Sequence, residues 1–457
     1  MLLTRMGRLS LLLPLLMFSS ARAEDLLASW QAARTHDAYF AAARDALSAG
    51  IEQAKQGDAG LLPQVSLDGT ARQLQKDYYA GQAATSSKNG RGQQFTLGLS
   101  LVQPLYNRAA SATRDQSHRQ SDQAQLRYLA AEQDLILRTA KAYCDVLIAQ
   151  ENVNLAKAQT EAVGEQLARA QKMFELGLSS VTDSDDAQAR YDTTVATGIA
   201  ARNDLEVKAN AYRKLTGLDP ARLVPISSGM PTPPAAPEAL AALLSQARHQ
   251  NLDVRAQQLG VEIARLEIDR YRLESSPVVS LVASLGNQLD RGSFSSSGGS
   301  DRTLNGAVGL QLSIPLYAGG ARDSRLRQAV ALADQQANTL EGLQRDAEQQ
   351  AQQYFLDVAS GSARVRALEQ AQASAATAVA SSKLGREVGV RTVLEVLNAE
   401  QAYYQTLYNL VAARYGLLFS RLQLAAAIGD LQEAQLAAVN AWLTTTTAPA
   451  TPAPAPH

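Results

Sequence analysis

The chain has 457 residues, 46% hydrophobic and 19% charged, with a formal net charge of −1, four histidines and one cysteine. That balance leaves no nucleic-acid footprint, and past the N-terminus no run of about 18 apolar residues is available to cross a bilayer as a helix. His36, His118, His249 and His457 lack ligand spacing, and no G-x-S-x-G, phosphate-cradling glycine loop or H-E-x-x-H occurs, so the chain reads as no enzyme, with no cofactor and no metal site.

Residues 1–23 read as a signal peptide: Arg5 and Arg8 precede the apolar stretch Leu11 to Phe18, and Ala21-Arg22-Ala23 fits a small-x-small cleavage site. No cysteine follows that site, which argues against a lipid anchor. Removing Arg5, Arg8 and Arg22 leaves 40 basic against 44 acidic residues. The lone Cys144 cannot form an intramolecular disulfide after export. Among Ala142, Tyr143 and Val146 it reads as helix packing.

From residue 24 onward the chain repeats itself. Pro63-Gln64-Val65-Ser66-Leu67 recurs as Pro277-Val278-Val279-Ser280-Leu281, and Gln103-Pro104-Leu105-Tyr106 as Ile314-Pro315-Leu316-Tyr317, at offsets of 214 and 211. Gly177-Leu178-Ser179-Ser180-Val181-Thr182-Asp183 recurs as Gly389-Val390-Arg391-Thr392-Val393-Leu394-Glu395, at 212. A near-constant offset through three landmarks means two copies of one structural unit. The division is then 24–217 for the first repeat, 218–237 for a Pro-rich linker and 238–431 for the second repeat. A tail at 432–457 follows, rich in Ala, Thr and Pro and read as disordered at its end.

Each repeat reads as a long helix, two strands and two more long helices. The strands are expected at 63–76 and 93–103, then at 277–289 and 303–315, with prolines at their joints. No proline occurs from Leu105 to Asp219 or from Leu316 to Ala448, and those stretches are rich in strong helix formers. Val146, Ala149, Val153, Ala156, Thr160, Val163, Leu167, Ala170 and Phe174 follow alternating three- and four-residue steps, a heptad seam. A helix over 108–174 would run about 100 Å.

The strands alternate: Val65, Leu67, Gly69 and Ala71 oppose Ser66, Asp68, Thr70 and Arg72, and Phe95, Leu97, Leu99 and Leu101 oppose Thr96, Gly98 and Ser100. Runs of roughly ten residues with this pattern suit a transmembrane barrel, and a half-buried sheet of a soluble protein gives the same pattern. Gly/Ser/Asn-rich connections at Tyr78–Arg91 and Arg291–Arg302 read as loops on the far side of a membrane. Tyr106 and Tyr317 fall where an interfacial aromatic belongs. Four strands cannot close a barrel and open edges are costly in lipid, so the chain is expected to oligomerise around a cyclic axis.

With the duplication, the Leu62-Pro63-Gln64-Val65 strand entry, the paired Pro-Leu-Tyr exits and the Gly177–Asp183 and Gly389–Ala399 segments, residues 24–431 resemble a TolC-type outer-membrane efflux protein. The resemblance implies an α+β membrane protein, a homotrimer with a twelve-strand barrel in outer-membrane lipid, four strands per chain, continuous with a long α-helical coiled-coil barrel in the periplasm of a Gram-negative bacterium. It implies partnership with a periplasmic adaptor and an inner-membrane pump or ABC transporter, in drug efflux or type I protein secretion. It also implies a gate latch in which Arg391 meets Thr182 and Asp183 of a neighbouring coiled coil. Arg386 stands where the family's most characterised member has a Tyr, and could pair with Asp183 by charge. The resemblance places Glu395 and Asn398 at the pore constriction, where one acidic ring in place of two predicts weaker cation selectivity.

Each gate residue also has a plainer reading. Thr182 and Asp183 suit a position just before a helix, capping its N–H groups, Arg391 a solvated helix start, and Glu395 a surface carboxylate. A calcium loop at Asp183-Ser184-Asp185 is excluded, because Gln188 and Thr194 stand where Gly and Glu are required. The reading kept beside an export duct is a non-conducting, periplasm-spanning scaffold or adhesin.

Overall fold

Each repeat opens on two consecutive helices where the sequence reading has one. Helix α1 (Leu26–His36) is capped by Asp25 and gives way to α2 (Ala38–Ala59) at Asp37, whose carboxylate accepts from the Phe40 N–H. The second repeat does the same at Asn251, between α5 (Leu240–Gln250) and α6 (Leu252–Leu273). A capping side chain satisfies the free N–H groups of the new helix, and a one-residue break leaves apolar periodicity almost undisturbed. The sequence pattern therefore conceals it.

The computed structural model describes residues 24–76, 90–225, 240–293 and 299–444. The expected signal peptide, the centres of both distal loops, much of the linker and the end of the tail lie outside the described residues. The first repeat continues through β1 (Gln64–Lys76), β2 (Gly90–Tyr106), α3 (Arg108–Glu175) and α4 (Val181–Thr216). The second continues through β3 (Val278–Gly292), β4 (Ser300–Ser313), α7 (Ala321–Glu387) and α8 (Val393–Ala427). Paired elements match closely in length: 68 and 67 residues for α3 and α7, 36 and 35 for α4 and α8.

The strands form one antiparallel sheet, ordered β1-β2-β3-β4. Its register aligns the alternation of all four strands. Val65, Leu101, Ala283 and Val308 lie in one row and Leu67, Leu99, Leu285 and Gly306 in the next, on the same face. Ser66, Ser100, Ser284 and Ala307 form a row on the opposite face, as do Asp68, Gly98, Gly286 and Asn305. β2 and β3 reach further toward the distal loops than their patterns indicate, with Gly92 paired to Gly292. Ladder hydrogen bonds are made by backbone, so glycine-rich ends can join them. β4 stops at Ser313, two residues short of Pro315.

At the other end of α2 and α6 lies the main apolar core. It gathers Leu26, Trp30, Leu135, Ile136, Tyr143, Leu147, Tyr212, Leu418, Leu422 and Leu436, and buried Cys144 belongs to it. Two further segments dock against this core. The tail begins as helix α9 (Glu433–Thr444), which docks on α1 through Asn440, its Oδ1 accepting from the Leu26 N–H and its Nδ2 donating to Asp25. The first part of the linker is also docked: Pro220–Arg222 forms a 3₁₀ turn, Leu223 bridges Glu24, and Tyr143 donates to the Val224 carbonyl at 2.7 Å. Both carry apolar residues, Leu223 in the linker and Leu436 and Val439 in the tail, that bury in this core. Among the described residues no helix is long and apolar enough to cross a membrane.

Candidate functional site

The hairpin turns α3–α4 and α7–α8 lie at the end of the molecule away from the sheet, because α3 and α7 run straight from one to the other. Both long helices end in the same way. Gly177 (φ +72°) follows α3, with Leu178 N–H bonded to Met173 O and Gly177 N–H to Phe174 O; Gly389 (φ +81°) follows α7 with the matching pair to Gly385 and Arg386. This left-handed close requires glycine and turns the chain within a few residues. The turns leave Phe174, Leu176, Leu178, Val388 and Val390 exposed.

Beside the turns the two hairpins pack together. Val163, Leu167 and Ala170 of α3 and Ala187 of α4 bury against Val393 and Leu397 of α8. The heptad seam read from the sequence holds to Ala170, while Phe174 is 47% exposed. Polar contacts flank this cluster. Arg190 of α4 forks onto α8, its two terminal nitrogens donating to Gln401 Oε1 and, at 3.0 Å, to Asn398 Oδ1. Gln166 of α3 accepts from Arg386 Nη1 at 3.2 Å and donates to buried Glu400 at 3.4 Å, and Lys383 pairs with that carboxylate at 2.8 Å.

The helix starts correct the capping reading of Thr182 and Asp183. Ser180 is the N-cap of α4 and accepts from the Thr182 N–H, so Thr182 and Asp183 lie within the first helical turn. At α8 the cap is Thr392, in a reciprocal box: Thr392 Oγ1 accepts from the Glu395 N–H, and Glu395 Oε2 accepts from the Thr392 N–H at 2.7 Å. Arg391 Nη1 donates to the other Glu395 oxygen at 2.6 Å. The Thr392 N–H and then Arg391 hold the Glu395 carboxyl below its ordinary value. Burial pulls the Arg386 guanidinium below its usual value, while the nearby Asp183 charge pulls it upward and Arg169 adds to the drop.

Within one chain, then, Arg391 meets Glu395, Asn398 meets Arg190, and Arg386 bonds Gln166 within electrostatic range of Asp183. Thr182 turns back on Ser180, hydroxyl to hydroxyl at 2.9 Å. Arg391 does not contact Thr182 or Asp183 of its own chain. Sequence reasoning missed Thr392, Arg190, Gln401, Gln166, Lys383 and Glu400. Two signals were legible: Thr392-x-x-Glu395 is the capping-box pattern, and Glu400 continues the apolar stripe of Val393, Val396 and Leu397 at helical spacing. Among the described residues no group of three or more His, Cys, Asp or Glu could hold a metal ion.

A duplicated helix–strand–hairpin unit, with a four-strand sheet at one end and paired hairpin tips at the other, defines an outer-membrane channel subunit. The family model for the outer membrane efflux protein matches residues 29–218 and 243–430, and the chain belongs to that family. It is 31% identical to the outer membrane protein TolC of Vibrio cholerae serotype O1, over 93% of this chain and 95% of that one. It is 30% identical to the alkaline protease secretion protein AprF of Pseudomonas aeruginosa, over 93% and 89%. The crystal structure of VceC from Vibrio cholerae superposes with a TM-score of 0.74 at 20% identity, over 90% of this chain and 98% of that one. The protein is therefore an outer-membrane protein of a Gram-negative bacterium, with a helical tunnel portion in the periplasm, from a family of efflux and secretion channels rather than of enzymes.

Proposed function

We propose that three copies of the chain close one barrel in the outer membrane and one helical tunnel beneath it, forming the exit duct of a tripartite export system. The observation that carries this is the sheet. One face is mainly apolar, and large apolar side chains on it are exposed in the single chain, with Leu67 at 66%, Val308 at 77% and Leu310 at 70%. Among the described residues, β1 and β4 each have one edge without a ladder partner. Lipid covers such a face, and pairing β4 of one copy with β1 of the next removes both edges.

The tunnel is shut at the hairpin tips. In the trimer Arg391 reaches Thr182 and Asp183 of the neighbouring hairpin, Arg386 adds charge opposite Asp183, and Glu395 and Asn398 stand at the narrowest ring. The exposed apolar turns at Leu176, Leu178, Val388 and Val390 suit the apolar tip of a periplasmic adaptor, which links the duct to an inner-membrane pump or ABC transporter. Relatives are named for protease secretion and for efflux, and the duct serves drug efflux, type I protein secretion or both. Single-channel currents of the purified protein in a planar bilayer test the reading. A small wild-type current that rises clearly in Arg391→Ser is expected. Large currents in both would discard the latch, and no current from confirmed trimers would leave a non-conducting scaffold.

A further inference from the structure

We propose that each protomer also holds its own tip shut from within, through a buried clasp centred on Glu400 in which the Gln166 amide ties one hairpin to the other; this rests on reading the hairpin tips as a gate. Glu400 is 2% exposed and lies on the apolar stripe of α8. One of its oxygens takes the Lys383 ammonium and the Gln166 amide nitrogen. Among the described residues, the other is buried with no hydrogen-bond partner. Gln166 is 3% exposed, and its remaining end accepts from Arg386.

Three of these four groups belong to the α7–α8 hairpin, and Gln166 alone comes from α3. An amide presents a donor and an acceptor on one planar end, so facing a carboxylate and a guanidinium fixes its orientation. A carboxylate at this position could satisfy Arg386 but would repel Glu400, and a hydrocarbon could do neither. Separating the hairpins removes Gln166 from both charged partners at once, and bonds to charged groups are the stronger kind. Lys383, 41% exposed along its side chain, stays with Glu400 on the α7–α8 hairpin.

The second Glu400 oxygen works in the opposite direction. A buried acceptor without a partner destabilises the state that buries it, and opening would expose that oxygen to water. The clasp thus combines two charge-assisted bonds that favour closure with one unsatisfied oxygen that opposes it. Val163, Leu167, Val393 and Leu397 pack alongside and keep water out. On the far flank Arg190 adds its fork to Asn398 and Gln401.

The test is a swap read as current through purified trimers in planar bilayers. Gln166→Glu sets two carboxylates against each other and is expected to raise the mean current about tenfold, the equilibrium shift of losing a charge-assisted bond. Adding Glu400→Gln exchanges amide and carboxylate between the hairpins while Lys383 and Arg386 remain. The double variant is expected to return to within about twofold of wild type, a coupling that independent structural damage would not produce. Wild-type current from Gln166→Glu, or a double variant as open as the single, overturns the clasp even where Arg391→Ser conducts. Silence of every protein including Arg391→Ser overturns the duct instead. If Gln166→Glu yields no trimer, Gln166→Leu removes both bonds without adding charge; a raised current from it supports the clasp and a wild-type current overturns it.

Discussion

Arg391 has an acid on its own chain as well as the one it would meet across the proposed gate. In the single chain its Nη1 lies 2.6 Å from Glu395, so Thr182 and Asp183 of a neighbouring hairpin compete with that carboxylate for the same guanidinium. Glu395→Gln is therefore expected to tighten the gate rather than loosen it. Glutamine keeps an oxygen of the same reach, so the box with Thr392 survives, while the ion pair that competes with the latch is gone. The two side chains are 53% and 41% exposed, and a pair of that kind shifts an equilibrium by no more than about fivefold. Three such pairs in the proposed trimer would compound to at most about a hundredfold. The assay is open probability in a planar bilayer: lower than wild type for Glu395→Gln, higher for Arg391→Ser, and equal to Arg391→Ser for the double variant, in which no arginine remains to be released. A Glu395→Gln channel more open than wild type would refute the competition and place the Arg391–Glu395 pair in the closed gate itself.

In the proposed trimer the same pairing would neutralise a ring of Glu395 carboxylates, so Arg391→Ser is expected to shift the reversal potential under a salt gradient toward cation preference, an effect that adding Glu395→Gln removes. The lowered Glu395 pKa fixes an acid response by its sign. Its contribution to the α8 start is complete above the ordinary value of 4.5 and is lost as pH falls through the lowered value. The difference in melting temperature between wild type and Glu395→Gln should stay flat above that point and shrink below it. Gly57 on α2 lies so close to α3 that a Cβ would stand 2.7 Å from Ser117 Cβ. Gly57→Ala is expected to cost about 1–3 kcal/mol of overpacking, offset in part by about 1 kcal/mol of helix propensity, with a lower melting temperature by circular dichroism. Burial pushes the Cys144 thiol up to about 12, so a maleimide should leave the native protein unlabelled at neutral pH and react once it is unfolded.

Much of this architecture was legible because it depends on periodicity and repetition. Offsets near 212 foretold two units of the same order, uninterrupted proline-free stretches foretold α3 and α7, and period-two alternation foretold which strand residues share a face. These are properties of single segments, decided by backbone geometry and by where prolines are tolerated. The breaks at Asp37 and Asn251, and the docking of α9 on α1, were hidden because a cap needs one side chain and disturbs no pattern.

The site divides along the same line. The Thr392-x-x-Glu395 box is local and could have been read from four residues. The Arg391–Glu395 pair, four residues apart, is local in the same way. That Asn398 is held by Arg190, and that Gln166 bridges Arg386 and Glu400, depended on how two hairpins more than 200 residues apart settle against each other. Sequence alone determined the long helices and the strands, their duplication and their apolar faces, since each follows from the chemistry of neighbouring residues. Only the tertiary structure decided which polar side chains meet at the tips. A long side chain on a helix surface has several partners within reach, and the packing of Leu167 against Val393 and Leu397 selects among them.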